Sequence, residues 1–148
     1  MFGKDKENQS QRGMLAETAV LNRFVELGYE VLIPWGGYYA YDLAYVQPGK
    51  SGILSSKPPE LIRVQVKLAR MSADGSYFEF HTSTKANGGK RVSYRGKVEM
   101  FAVYCAETGK VYAVWIDQAP KMKMILRLSK VQVGEERKYI KWAKDYEL

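Results

Sequence analysis

Asp42 and the triplet Gln65-Val66-Lys67 are the residues of this chain best suited to chemistry, with Glu17 as a third contributor. Hydrolysis of a phosphodiester needs a hard divalent cation, a deprotonated water and stabilisation of charge at phosphorus. Magnesium takes oxygen ligands, and one or two carboxylates with phosphate and water suffice. Asp42 is the best carboxylate for that task. Gln65 offers a neutral side-chain carbonyl oxygen, and Val66 a backbone carbonyl. Lys67 stands two residues beyond Gln65, so on a strand both project from one face. Its ammonium suits the charge at a pentavalent phosphorus, or the positioning and deprotonation of the attacking water. Glu17 adds a further carboxylate, or a hold on a metal-bound water. Each residue also has a plainer reading. Asp42 suits the cap of a turn, Gln65 and Lys67 the solvent face of an edge strand, and Glu17 a bridge to Arg12 or Arg63. Their order and spacing together favour phosphodiester hydrolysis.

The elements that must position these groups follow from periodicity. A helix from about Arg12 to Leu27 carries an apolar stripe of Val20, Leu21, Phe24 and Leu27, and Gly28 stops it. Glu17 lies one turn ahead of that stripe, on the inward face. Tyr29 to Ile33 reads as a short strand and Pro34-Trp35-Gly36-Gly37 as a turn. Tyr38 to Val46 reads as a second strand, carrying Asp42. Residues 47–60 hold three prolines, two glycines and several serines, and read as a loop. Leu61 to Leu68 alternates: Ile62, Val64, Val66 and Leu68 take one face, and Arg63, Gln65 and Lys67 the other. Ser76 to Ser83 is another strand. Val98 to Cys105 and Val111 to Asp117 form a hairpin about Ala106–Lys110. Arg127 to Val133 alternates weakly, and Glu135 to Tyr146 suggests a closing helix. The expected fold is a mixed α/β (α+β) domain spanning 1–148, with residues 1–11 as a polar arm.

Composition narrows the function classes. The chain has 148 residues, room for one domain, and a formal net charge of +7. Hydrophobic residues make up 46%, which excludes wholesale disorder. Apolar runs such as 111–116 fall far short of a membrane span. The N-terminus shows no basic start with an apolar run behind it, so no signal peptide is expected. The one cysteine, Cys105, reads as core and excludes a disulfide framework. The one histidine, His81, reads as strand surface and excludes two-histidine metal sites. Neither a GxGxxG nor a GxxxxGK[ST] loop is present, so nucleotide cofactors have no support. A cytoplasmic location fits this composition.

The basic excess points to nucleic acid. Residues 85–97 carry Lys85, Lys90, Arg91, Arg95 and Lys97 without an acid, and Gly88-Gly89 and Gly96 make the stretch loop-like. A charge run is commonly a solvated face. Here the glycines permit close backbone approach, which suits phosphate contacts and base reading by Arg91 or Arg95. Lys4, Lys6, Lys121, Lys123, Arg127 and Lys130 could add backbone contacts. Trp35, Trp115 and Trp142 read as packing residues, with Trp35 also placed to touch DNA. Glu99 reads as a strand-edge charge.

The arrangement resembles the PD-(D/E)XK nuclease superfamily. Its core pattern, an aspartate followed on a neighbouring strand by acid-x-lysine, appears as Asp42 and Gln65-Val66-Lys67. The resemblance runs from Gly13-x-x-x-Glu17 through Gly28-Tyr29, Pro34-x-Gly36 and Tyr41-Asp42-Leu43 to Val64-Gln65-Val66-Lys67 and Tyr94-Arg95-Gly96. The ordering is most like the small homing endonucleases encoded in bacterial group I introns, among which the glutamine variant occurs. The resemblance implies a restriction-endonuclease-like fold, with a central mixed sheet flanked by helices. It implies cleavage of long duplex DNA with Mg²⁺ (Mn²⁺ as a substitute) by a homo-oligomer, a dimer or tetramer. Asp42, Gln65 and Lys67 would form the site, with Glu17 in support and Asp42, Gln65 and Val66 facing the metal. Gln65 leaves the site one acid short. A Holliday-junction or other structure-selective nuclease, and a catalytically silent DNA-binding module, are the alternatives.

Overall fold

The computed structural model describes residues 9–51, 53, 56–129 and 140–148. One helix, α1 (Gln9–Glu26), is followed by twelve strands. These are β1 (Glu30–Leu32), β2 (Leu43–Gln47), β3 (Lys50–Ser51), β4 (Ser56–Lys57), β5 (Glu60–Leu68), β6 (Arg70–Met71), β7 (Tyr77–His81), β8 (Ser83–Lys85), β9 (Arg91–Ser93), β10 (Met100–Cys105), β11 (Lys110–Trp115) and β12 (Lys123–Arg127).

The main sheet has the order β1-β2-β5-β10-β11. It is mixed, because β5 and β10 run parallel while the other pairs are antiparallel. Strand alternation sends each strand's side chains to two faces. On one face, Leu43, Tyr45, Ile62, Val64, Val66, Met100 and Ala102 pack against Ala16, Val20 and Phe24 of α1. On the other, Phe101, Val103, Cys105, Tyr112 and Val114 pack against Phe78, Phe80, Met124 and Leu126. Those four come from the second sheet, of order β12-β7-β6. The molecule is thus helix, sheet and sheet in three layers. Phe24, Phe78 and Phe101 are fully buried, each contributing about 1.5–3 kcal/mol of apolar burial.

Helix α1 begins at Gln9, so the expected polar arm yields its last residues to the first turn. Gly28, at φ +79°, ends it as expected. Its N–H donates to Val25 O (2.9 Å) and the Tyr29 N–H to Phe24 O (3.0 Å), which is a Schellman cap. Leu27 lies beyond the helix and is 38% exposed, outside the apolar stripe.

Other expectations need correction. The strand expected at Tyr38–Val46 begins only at Leu43, and residues 38–42 form no strand, with bends at Tyr39, Ala40 and Asp42. The basic segment is no open loop: β8 and β9 pair as a hairpin, closed by the Ala86 N–H donating to Lys90 O. Loop 47–60 contains the short β3–β4 pair. The weak alternation at Arg127–Val133 is the end of a strand that runs Lys123–Arg127, and residues 130–133 lie outside the described ones. The closing helix is not formed over 140–148, where a single 3₁₀ turn (Ala143–Asp145) stands, and residues 135–139 lie outside the described ones. The reason is an open sheet edge. The tail pairs with β11 instead: Ala113 N–H donates to Tyr146 O (2.7 Å) and Leu148 N–H to Val111 O (3.0 Å). Covering an exposed edge satisfies backbone groups that a terminal helix would leave open.

Candidate active site

Strand β5 carries the candidate site on the face turned away from α1. Its parallel register sets Gln65 beside Phe101 and Lys67 beside Val103, so both share a face with the second-sheet core. Asp42 sits one residue before β2. Its N–H donates to Val64 O (2.9 Å), which extends the sheet ladder by one bond and fixes the backbone.

Asp42 Oδ2 receives two donors, the Val66 N–H at 2.7 Å and the Gln65 Nε2 at 2.6 Å. The same Gln65 nitrogen donates to Val66 O at 3.2 Å. A carboxylate and a carbonyl only accept, so the group between them must be a donor. The geometry therefore brings Asp42, Gln65 and Val66 together, with the nitrogen of Gln65, rather than its oxygen, facing Asp42. Both oxygens accept from that one nitrogen, and a pair of oxygen donors suits a hard cation once the amide is displaced from between them. Asp42 and Val66 O fit such an ion. Among the described residues, no group of three or more His, Cys, Asp or Glu could hold one, so the site leans on a backbone carbonyl and a single carboxylate.

Partial burial pushes the Asp42 carboxyl above its ordinary range, against the lowering effects of the Val66 N–H, the Lys67 charge and the Gln65 amide. Glu17 stands on the exposed shoulder of α1, not turned into the core as its helical position suggests. Its carboxyl is also raised, first by partial desolvation and then by the Asp42 charge. The Asp42 charge thus reaches Glu17, which places the helix carboxylate on the side of the sheet where Asp42 lies.

Lys67 is held by a residue that periodicity did not single out. Its Nζ donates to the Tyr94 hydroxyl at 3.0 Å and lies 4.5 Å from the centroid of the same ring. Tyr94 is buried and meets Phe101 edge-on at 5.5 Å. Hydroxyl and ring face both attract the ammonium. The only sequence signal was its place in Tyr94-Arg95-Gly96.

Arg63 and Glu99 are the second omission. Glu99 is no loose strand-edge charge. It accepts from the Arg63 backbone N–H (2.7 Å), from Nε (3.0 Å) and from the terminal guanidinium nitrogen (2.5 Å). This commits Arg63 to Glu99 across the β5–β10 seam and removes it as a partner for Glu17.

The basic residues divide. Lys85, Lys90, Arg95 and Lys97 are exposed. Arg91 is half-buried and donates to Ser83 Oγ (3.1 Å), and Arg95 donates to Ala119 O (3.1 Å). Lys123 pairs with Glu79 (2.8 Å). Lys4, Lys6 and Lys130 lie outside the described residues. Trp35 is 96% exposed, so it is not the packing residue expected, while Trp115 is 38% exposed. Cys105 is buried in the core, as expected. No described helix is long and apolar enough to cross a membrane.

No curated protein matches the sequence. Among solved structures, the chain is similar to a bacterial homing endonuclease, I-Ssp6803I, at 19% identity and a TM-score of 0.67. The match covers 95% of this chain and 88% of that one. The mixed sheet with its helix is therefore an α/β, restriction-endonuclease-like fold. The family model for PD-(D/E)XK endonucleases matches residues 7–148, almost the whole chain, and the protein belongs to that nuclease family.

Proposed function

We propose that this protein is a divalent-metal-dependent, site-specific double-strand DNA endonuclease of the homing type, working as a homo-oligomer. The observation that carries the reading is that Asp42 Oδ2 and Val66 O both face the Gln65 amide, with Gln65 and Lys67 on one face of β5. Family membership supports phosphodiester hydrolysis, and the similarity to a homing endonuclease supports the narrower class.

Asp42 and the Val66 carbonyl would hold Mg²⁺, with Gln65 offering its amide oxygen once its side chain has moved from between them. The bound ion supplies Lewis acidity and an acidified water. The chain's own residues supply the rest. Tyr94 orients Lys67, and the ammonium stabilises negative charge gathering on the phosphate oxygens. Glu17, with its raised proton affinity, can hold a water by hydrogen bond beside Asp42 and accept its proton. Lys85, Lys90 and Lys97 are exposed cations suited to duplex phosphates. Symmetric pairing of two copies would present two such sites, one for each strand.

The test is cleavage of a library of randomised duplexes and of a four-way junction, with Mg²⁺ or Mn²⁺ and with EDTA. Asp42→Ala and Lys67→Ala run beside the wild type. Metal-dependent cutting of a few related duplex sites, lost in both variants with binding retained, is expected. Preference for the junction would replace the homing class with a structure-selective nuclease. Salt-sensitive binding without any cutting would make the chain a silent DNA-binding module.

A further inference from the structure

The segment from Ile33 to Asp42 holds aromatic side chains out of the molecule. Trp35 is 96% exposed, Tyr38 99%, Ile33 62% and Tyr39 58%. Phe24, Phe78, Phe80, Phe101 and Tyr112, by contrast, are buried. Nor is this a loose loop. Pro34 is half-buried at one end, while Ala40 and Tyr41 pack against the core at the other. Gly36, at φ +86°, turns the tip, and the Tyr39 and Tyr41 rings lie 5.6 Å apart. Contiguous exposed apolar surface of this kind marks an interaction site.

Its position says what it meets. The segment ends on Asp42. Sheet order sets β5, with Gln65 and Lys67, between β2 and β10. The aromatic tip leads into β2 on one flank. On the other, Tyr94, Arg95 and Lys97 lead into β10. A polyanion laid across Asp42 and Lys67 meets exposed cations on one side and exposed ring faces on the other. Nucleic acid offers both matching chemistries, phosphates and flat bases.

We propose that Trp35 and Tyr38 are stacking platforms for nucleobases of DNA bound across Asp42 and Lys67. The proposal rests on the nuclease reading above. Every base has a π-face, so this contact tolerates sequence and adds affinity at the point of cutting. A ring entering a base step unstacks it and bends the duplex, which brings the adjoining phosphate toward the site.

The experiment uses a mixed-sequence duplex with 2-aminopurine at stepped positions, in EDTA, so that binding is read without cleavage. Affinity is measured over a range of salt concentrations. For the wild type, 2-aminopurine emission rises at one or two positions. Joint replacement Trp35→Ala/Tyr38→Ala abolishes the rise and lowers affinity about tenfold at every salt concentration. The slope of log K against log salt stays unchanged, because no phosphate contact is lost. Trp35→Phe/Tyr38→Phe restores most of the binding. Lys90→Ala behaves oppositely: it keeps the emission rise and reduces the slope by about 0.9. Unchanged affinity and emission in the double alanine variant overturn the proposal and leave the nuclease reading standing. A variant that turns an oligomer into monomers by sedimentation, with DNA emission unchanged, assigns the tip to a second copy and also overturns it. A wild type that binds no duplex at any salt concentration, in EDTA or with Ca²⁺ in its place, overturns the proposed double-strand DNA activity, and this proposal with it.

Discussion

Gln65→Glu restores the acid usual in the nuclease pattern, and its consequences can be worked from the geometry. The Gln65 nitrogen lies 2.6 Å from Asp42 Oδ2 and 3.2 Å from Val66 O. Glutamate would place an acceptor where a donor now stands. Two hydrogen bonds are lost, at about 1 kcal/mol each. Two carboxylates also face one another. At about 4 Å between charge centres their repulsion is about 1 kcal/mol in water and about 4 kcal/mol at an effective dielectric constant of 20. The half-buried site lies between these limits, and sharing one proton relieves part of the repulsion. A destabilisation of about 3 kcal/mol follows in EDTA near neutral pH, or about 6–12 °C in Tm for a chain of this size. Repulsion raises the second ionisation of such a pair above the unfolded value. The deficit is therefore absent below the ordinary carboxylate range and grows as pH climbs through that raised value. Magnesium reverses it, since a ligand at a hundred times its Kd adds about 2.7 kcal/mol. Thermal melts of both proteins, with EDTA and with a Mg²⁺ series, measure this. If Gln65→Glu melts with the wild type in EDTA, or gains no more from Mg²⁺ than the wild type does, Asp42 and Val66 O do not form a cation site.

Asp42→Asn keeps an acceptor for the Val66 N–H without the charge. The Asp42 carboxyl is raised by burial, so the wild type loses stability as pH rises through that value, and the variant does not. The variant should melt above the wild type at pH 8 in EDTA, converge with it below about pH 4, and cut no DNA; a lower melting point at pH 8 would contradict the burial argument. Tyr94→Phe keeps the ring under Lys67 but removes the hydroxyl that accepts from it at 3.0 Å. A hydrogen bond to a charged group is worth about 1.5–3 kcal/mol, so single-turnover cleavage should slow by about tenfold or more with DNA affinity unchanged; an unaltered rate would reduce Tyr94 to a packing residue.

Strand β5 was legible because three buried apolar residues alternate with Arg63, Gln65 and Lys67, and period alone assigns the two faces. Helix α1 was legible through its stripe and Gly28. The tail was not. Glu135–Tyr146 has helical spacing, but the open edge of β11 claims its last residues, a tertiary demand that no local pattern encodes. The basic hairpin was misread as a loop for a related reason. Gly88-Gly89 signals a turn, while the pairing of Ser83–Lys85 with Arg91–Ser93 depends on both short strands being present.

Among the site residues, side-chain identity was legible and orientation was not. Gln65 can present either end of its amide, and sequence assigns neither. The structure turns the nitrogen inward because Asp42 already carries a charge that burial disfavours. A second acid there would need a cation at all times, whereas the amide supplies a donor to Asp42 and to Val66 O and can exchange it for an acceptor. Glutamine in place of the usual acid therefore relieves the folded chain of one buried like-charge pair, and under the proposed function its consequence would be a weaker hold on metal. On that account Gln65→Glu separates the two quantities, with stability falling in EDTA and metal affinity rising, and Gln65→Ala, which lacks both donor and charge, lies between them.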